Sequence, residues 1–160
     1  MLATTSHSFF VEGKKATRMS SGAWSQILSA TPVKHMANYL LRVIKFAGKS
    51  SFFFGVVLPE KKTDKWNTFK KDSIAYWSWI KFNNWEVYIG GDKVDSGTDG
   101  ALKEGGVIRL NVNLKEPSVT FVNEETGRES KVILPPKYRD KDLHLFASLF
   151  EKGSAVELIY

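Results

Sequence analysis

The stretch SVTFVNEETGRESKVIL, Ser118 to Leu134, carries the pattern of a complete β-hairpin. A β-branched and aromatic run, Val119 to Val122, meets a polar turn that ends in Gly127, and a charged segment then leads into a second apolar run. Strand-forming residues on both sides of a glycine-containing turn are typical of a hairpin. A hairpin by itself specifies no function, so we expect this stretch to be scaffold, with Phe121 packed in the core.

Runs of alternating hydrophobicity separated by Gly, Pro, Asn and Asp recur along the whole chain, whereas helical periodicity is nearly absent. A single helical turn could form at residues 24–30 or 138–143. Roughly ten to twelve short strands at such spacing predict an all-β fold, an antiparallel β-sandwich of two sheets with little or no helix. The clearest strand and hairpin segments are residues 8–18, with Gly13 in the turn, 38–46, 52–58, 74–88, 107–114, 144–150 and 155–159.

Two of these segments also predict which side chains are buried. Residues 38–46 are apolar on both faces apart from Arg42, which indicates a central strand buried on both sides. Trp77 and Trp79 alternate with Ser78 and therefore share one face of a strand. We expect that face, together with Trp24, to belong to the core.

The length and composition indicate one globular domain. A chain of 160 residues, of which 42% are hydrophobic and 13% aromatic, can bury one sizeable core. We assign residues 1–7 to an N-terminal tail and residues 8–160 to the domain. The last predicted strand ends at the chain terminus, Tyr160, which suggests a monomeric domain from a longer protein.

The net charge of +6 is compatible with a polyanionic partner, but its distribution disfavours one. The lysine pairs are interspersed with Asp and Glu, and no block of five like charges occurs. The longest apolar run, Phe52 to Leu58, is far shorter than the roughly 20 residues that span a bilayer. Cysteine is absent, which fits a reducing, intracellular compartment, cytoplasmic or nuclear. We therefore expect no membrane association, and the charge distribution disfavours a nucleic-acid partner.

Catalytic and metal-binding patterns are also missing. The three histidines, His7, His35 and His144, lie in no metal-binding spacing. Asp140 and Asp142 could form a carboxylate pair, but Lys141 between them favours a solvated turn. No phosphate-binding loop or nucleophile motif is present. We expect a non-enzymatic protein without metal or other cofactor.

A long irregular segment, residues 59–72, contains the sequence KWNTFKK. Its bulky rings, Trp66 and Phe69, either fold back onto the domain or line a recognition surface, since Trp, Phe and Arg are enriched at the centres of interfaces. Both interpretations are open from the sequence.

Several of these segments, in this order, resemble the SPRY domain family. The resemblance to its segment G-D-V-I, D-L and S-F-x-x-N-G is carried by Gly105–Ile108, Asn113-Leu114 and Ser118–Gly127. Phe54-Gly55-Val56 is similar to the family's I-G-V strand and Asn38–Val43 to its Y-W-E-V strand. Residues 135–158 are similar to its final L-Y-P-A-V-S-L and V-E-L run.

This resemblance implies a bent, concanavalin-like sandwich with no catalytic site, which binds a peptide or protein partner through loops at one rim. Carried over by position, the partner-binding residues would be Arg18, Ser20, Gly22, Lys65, Trp66, Phe69, Phe150 and Lys152. Two other functions stay open: a carbohydrate-binding sandwich, and single-stranded nucleic-acid binding through Trp66, Phe69 and nearby lysines.

Overall fold

The computed structural model describes residues 2–4, 9–19, 25–47, 51–58 and 70–159. They form fourteen strands in two antiparallel sheets of seven strands each. In spatial order, sheet I consists of β1 (Leu2–Thr4), β4 (Ser25–Ser29), β13 (His144–Leu149), β6 (Ser51–Val57), β7 (Ser73–Trp79), β8 (Asn84–Ile89) and β9 (Asp92–Gly97). Sheet II consists of β12 (Glu129–Ile133), β11 (Ser118–Asn123), β10 (Val107–Asn113), β5 (Met36–Lys45), β14 (Ala155–Leu158), β3 (Lys15–Arg18) and β2 (Phe9–Glu12).

The predicted all-β antiparallel sandwich is confirmed. Helical structure in the described residues is limited to 3₁₀ turns at Lys70–Asp72, Ile80–Phe82 and Pro136–Tyr138. Residues 25–29, where a helical turn was considered, form β4 instead. Leu2–Thr4, which we expected from the sequence to belong to a tail, pairs with β4 as the edge strand of sheet I.

The hairpins form as their turn residues predict. β11 pairs with β12 from Ser118–Ile133 to Val122–Glu129, and Phe121 is 1% exposed. In the β2–β3 hairpin Gly13 has φ +61°, a conformation that L side chains rarely adopt. Glycine is therefore the residue that this tight turn favours.

Sheet II has an apolar inner face and a polar outer face. On β10 the inward residues Ile108, Leu110 and Val112 are buried, as their alternation predicts. β5 lies centrally between β10 and β14, which was also predicted. Burial of β5 on both sides was wrong: Leu41 is buried on the inner face, whereas the neighbouring Leu40 on the outer face is only half-buried. The outer face of sheet II is solvated, so the apolar residues there lie among polar ones.

The core between the sheets is rich in aromatic rings. Tyr76 of β7 stacks on Trp85 of β8, with ring centroids 6.1 Å apart, and also contacts Phe121 of β11 at 5.8 Å. Burial raises the pKa of Tyr76 far above its usual value, more than its hydrogen bond to Asn123 lowers it. These rings join the middle of sheet I to sheet II.

Strand direction divides the interstrand connections between two ends of the sandwich. At the first end lie the connections β2–β3, β4–β5, β8–β9, β10–β11 and β12–β13, and there β6 ends and β7 begins. At the second end lie β7–β8, β9–β10, β11–β12 and β13–β14, and there β3 and β5 end and β4 and β6 begin. A functional surface built by loops therefore draws on one of these two sets.

Candidate functional site

The β13–β14 connection, residues 150–154, forms a closing turn that is fixed to β3 at the second end. The backbone N–H of Arg18 donates to the Ser154 carbonyl at 2.8 Å, and the Gly153 N–H donates to the Arg18 carbonyl at 2.8 Å. The Arg18 Nε also donates to the Phe150 carbonyl at 3.5 Å. The structure thus brings together Arg18, Phe150 and Lys152, three of the predicted partner-binding residues.

The three residues differ in exposure. Arg18 is 2% exposed, Phe150 is half-buried and Lys152 is exposed. Arg18 therefore supports the turn from beneath, while Phe150 and Lys152 present side chains at its surface. The sequence predicted a position near the rim for Arg18, but it carried no signal that the guanidinium is buried under the turn.

A second set of hydrogen bonds attaches the closing turn to the end of β5. The Ser154 Oγ accepts from the Ala47 N–H at 3.0 Å, and the Ser154 N–H donates to the Glu151 carbonyl at 3.2 Å. Gly153 has φ +91°. Attachment to both β3 and β5 holds the turn in one position, which lowers the entropy cost of binding through it.

Aromatic side chains also cover part of the outer face of sheet I, and we call them the outer aromatic belt. Its members are Phe53, Trp77, Trp79, Phe82 and Tyr88. Successive ring centroids are 4.3 to 6.3 Å apart, from Phe82 and Trp79 through Trp77 and Phe53 to Tyr88. Phe82 is 57% exposed, and the other four are half-buried.

The core position predicted for Trp77 and Trp79 was therefore wrong. The inward residues of β7 are Ile74, Tyr76 and Ser78, and Ser78 donates to and accepts from the backbone of Leu102. Both faces of this strand carry bulky apolar residues, so alternation could not distinguish inside from outside. The position of Trp24 lies outside the described residues.

Strand register relates the belt to the closing turn. In the strand register Leu149 pairs with Phe52 and Ser51 pairs with Trp79. One residue beyond Leu149, Phe150 therefore lies in line with Ser51 and Trp79 at the second end, about two strand spacings from Trp79. By strand register, the closing turn and the Trp79–Phe82 part of the outer aromatic belt therefore lie at the same end of sheet I.

Charged residues border this surface. Lys81 lies over the Phe82 ring at 5.5 Å, and Glu86 pairs with Lys93 at 3.2 Å. Burial, followed by the negative charge of Glu86, raises the pKa of Tyr88 to about 12. Tyr88 is therefore neutral at physiological pH and acts as an apolar ring with a hydroxyl.

The other predicted site residues, Ser20, Gly22, Lys65, Trp66 and Phe69, lie outside the described residues. The described flanks of the long segment, Leu58 and Asp72, are joined by a backbone hydrogen bond of 3.0 Å at the first end, opposite the closing turn. That Trp66 and Phe69 share a rim with Phe150 stays a prediction.

Within the described ranges, no group of three or more His, Asp or Glu side chains is placed to hold a metal ion. Nor do these ranges contain a helix with the length and apolar character required to cross a bilayer.

Comparison with solved structures shows that the chain has the SPRY fold. The SPRY domain of human HERC1 superimposes with a TM-score of 0.69 at 16% identity, over 94% of this chain and 91% of that one. A human SPRY domain gives 0.70 at 14% identity over 94% of both chains. The TRIM65 PSpry domain gives 0.71 at 10% identity, over 98% of this chain and 88% of that one. The fold predicted from the sequence resemblance is therefore confirmed.

No family model matches the sequence, and no curated protein is significantly similar to it.

Proposed function

We propose that this chain is a non-catalytic protein-interaction module that binds a peptide or protein partner through the outer aromatic belt and the closing turn. The observation that carries the proposal is that Phe150 of the closing turn and Trp79 and Phe82 of the belt lie at the same end of sheet I. Large aromatic side chains exposed on a rigid surface favour interfaces, because they bury much area with little loss of side-chain entropy. SPRY domains generally mediate protein interactions, and the fold similarity supports the same role here.

The partner-binding residues predicted from the sequence would contribute to this surface in different ways. Phe150 and Lys152 would contact the partner directly, and Arg18 would position the closing turn beneath them. Ser20, Gly22, Lys65, Trp66 and Phe69 would extend the same surface. We further propose that the chain acts as a monomeric domain of a larger intracellular protein, as the solved SPRY domains of named larger proteins suggest.

The test is selection of binding peptides from a random displayed library, followed by affinity measurement against variants. We expect the double variant Trp79→Ala, Phe82→Ala to weaken the selected peptides about tenfold or more, as removal of hot-spot aromatics does. The matched control is Met36→Ala, Ile133→Ala, which truncates two exposed apolar side chains on sheet II. Circular dichroism and thermal unfolding verify that each variant folds.

Peptides that bind the belt variant as well as the wild type would contradict the proposal. So would peptides weakened only by the sheet II control. A parallel titration with single-stranded oligonucleotides at two salt concentrations tests the nucleic-acid alternative, which requires strongly salt-dependent binding.

A further inference from the structure

A cavity of about 480 Å³ lies at the first end of the sandwich, opposite the closing turn. Three connections surround it: β4–β5, β10–β11 and β12–β13. Its volume falls within the range of about 300 to 1,000 Å³ that is typical of small-molecule sites. The cavity shares no residue with the outer aromatic belt or the closing turn.

Backbone hydrogen bonds tie the three connections to one another in a closed ring. Val33 N–H donates to the Leu143 carbonyl at 2.7 Å, Leu114 N–H to the His35 carbonyl at 2.8 Å, and Leu134 N–H to the Pro117 carbonyl at 2.8 Å. Each connection is therefore bonded to both of the others. A cavity bounded by such a ring is formed before any ligand arrives, which reduces the entropy cost of binding.

The deep side of the cavity is apolar. Val33, Leu134 and Tyr138 are 8%, 0% and 2% exposed, and Leu114 and Pro117 form half-buried walls. The Tyr138 hydroxyl is directed to the carbonyls of Ser73 and Lys71 at 3.3 and 3.4 Å. The ring thus lines the cavity while its polar group is bonded elsewhere, so an apolar ligand body can pack against it.

Charges of both signs surround the mouth of the cavity and do not neutralise one another. The consecutive residues Arg139, Asp140, Lys141 and Asp142 line it together with His35, and all five are exposed. Among the described residues, no ion pair within 4.0 Å involves any of them. The Nε of Arg139 donates to the Leu134 carbonyl at 2.8 Å, which fixes the guanidinium and leaves its terminal nitrogens for a ligand.

We propose that this cavity binds a small zwitterion with an apolar body, of the class of free α-amino acids with an aromatic or branched aliphatic side chain. The carboxylate would pair with Arg139 or Lys141, the ammonium group with Asp140 or Asp142, and the side chain would pack against Tyr138. A ligand of a single charge would face like charges at the mouth, whereas a zwitterion satisfies both signs.

The test is titration of the ¹⁵N-labelled chain with four compounds, followed by amide chemical shifts. These are L-phenylalanine, L-leucine, N-acetyl-L-phenylalanine, which lacks the ammonium group, and L-phenylalaninamide, which lacks the carboxylate. We expect the two zwitterions to shift amides of the three connections with a Kd on the order of 1 mM or tighter. Each blocked compound should bind at least about fivefold more weakly than L-phenylalanine.

Charge variants identify which side chains bind the carboxylate and which bind the ammonium group of the ligand. Arg139→Gln, or Lys141→Gln if the first does not fold, should weaken phenylalanine severalfold but should not weaken phenylalaninamide, which lacks the carboxylate and carries only a positive charge. Asp142→Asn should weaken phenylalanine but should not weaken the N-acetyl compound, which carries only a negative charge. Lys103→Gln, an exposed lysine on the β9–β10 connection at the second end, is the matched control and should change nothing.

Three outcomes overturn the proposal: no shifts in the three connections with either amino acid, equal binding of the zwitterion and both blocked compounds, or affinities that the charge variants do not change.

Discussion

Gly55, in the middle of β6, illustrates how closely two strands approach in sheet I. A Cβ atom built on this residue would overlap the carbonyl oxygen of Ile74 in β7. We expect Gly55→Ala to lower the free energy of unfolding by about 3 kcal/mol or more, because backbone atoms would have to move. Urea denaturation measures this change.

The control for Gly55 is Gly127→Ala in the β11–β12 turn. Gly127 has φ +72°, and no atom lies within 4 Å of a Cβ built there. Only the conformational penalty of about 1 kcal/mol applies. If Gly55→Ala lowers the free energy of unfolding no more than Gly127→Ala does, the result would contradict a close approach of β6 to β7 at Gly55.

The raised pKa values of two tyrosines lead us to expect a loss of stability at alkaline pH. Burial, strengthened by the nearby carboxylates of Glu86 and Asp72, raises the pKa values of Tyr88 and Tyr138 to about 12. In the unfolded chain these hydroxyls lose their protons near pH 10. The folded state therefore binds more protons between about pH 10 and 12, and stability must fall as the pH rises through that window.

Denaturant unfolding at a series of alkaline pH values checks this expectation, and tyrosinate absorbance reports ionisation directly. Tyr138→Phe should flatten the pH dependence, while Tyr39→Phe serves as the control, because the hydrogen bond that the Tyr39 hydroxyl accepts from the Lys34 N–H lies at the surface. A pH dependence equally steep in Tyr138→Phe would contradict the assignment.

At the scale of single elements, Asn123 organises the turn between β11 and β12. Its Oδ1 accepts from the N–H groups of Glu125 and Thr126 at 3.0 and 3.4 Å, and its Nδ2 donates to the Gly100 carbonyl at 2.9 Å. Asn123 is 3% exposed. One side chain therefore shapes its own turn and attaches it to the β9–β10 connection.

We expect Asn123→Ala to destabilise the fold by about 2 to 3 kcal/mol, because three partly buried hydrogen bonds would be lost. Asn123→Asp keeps the acceptor and loses the donor, so its cost should fall between Asn123→Ala and the wild type. Thermal unfolding followed by circular dichroism measures both. Glu124→Ala removes only a surface ion pair with Arg109 and should cost less than about 1 kcal/mol. Equal effects of Asn123→Ala and Glu124→Ala would refute the anchoring role.

The elements also show where sequence patterns succeed. β10 alternates apolar and polar residues, so its inner face was predictable, and so were the glycine turns of the hairpins. β7 has bulky apolar side chains on both faces, and alternation gives no direction in such a strand. The outer aromatic belt was missed for this reason, although the high aromatic content of residues 74–88 was itself a signal.

At the scale of the whole molecule, β9 and β12, which are edge strands of different sheets, are joined by a hydrogen bond. Ser130 Oγ donates to Asp95 Oδ2 at 2.7 Å, and nearby Arg128 lies over the Trp85 ring at 4.9 Å. Edge strands carry unpaired backbone groups that can recruit other chains. The contact between β9 and β12 closes this side of the sandwich.

A double-mutant cycle with Asp95→Ala and Ser130→Ala measures how strongly this hydrogen bond couples the two edge strands. We expect a coupling of about 1 to 2 kcal/mol in the free energy of unfolding, because the hydrogen bond has a charged acceptor and a buried donor. Additive effects of the two substitutions would show that the bond does not hold the sheets together.

The sequence by itself determined most of the strands, though not β1 or β4, together with the hairpin turns and the two-layer antiparallel class, because alternation and turn chemistry are local properties of the chain. It also predicted that Arg18 and Phe150 meet, but only through resemblance to a family. The tertiary structure alone decided which face of β7 is outside, that Arg18 is buried, and that residues 139–142 surround a cavity. These depend on contacts between segments distant in sequence, which no local pattern records.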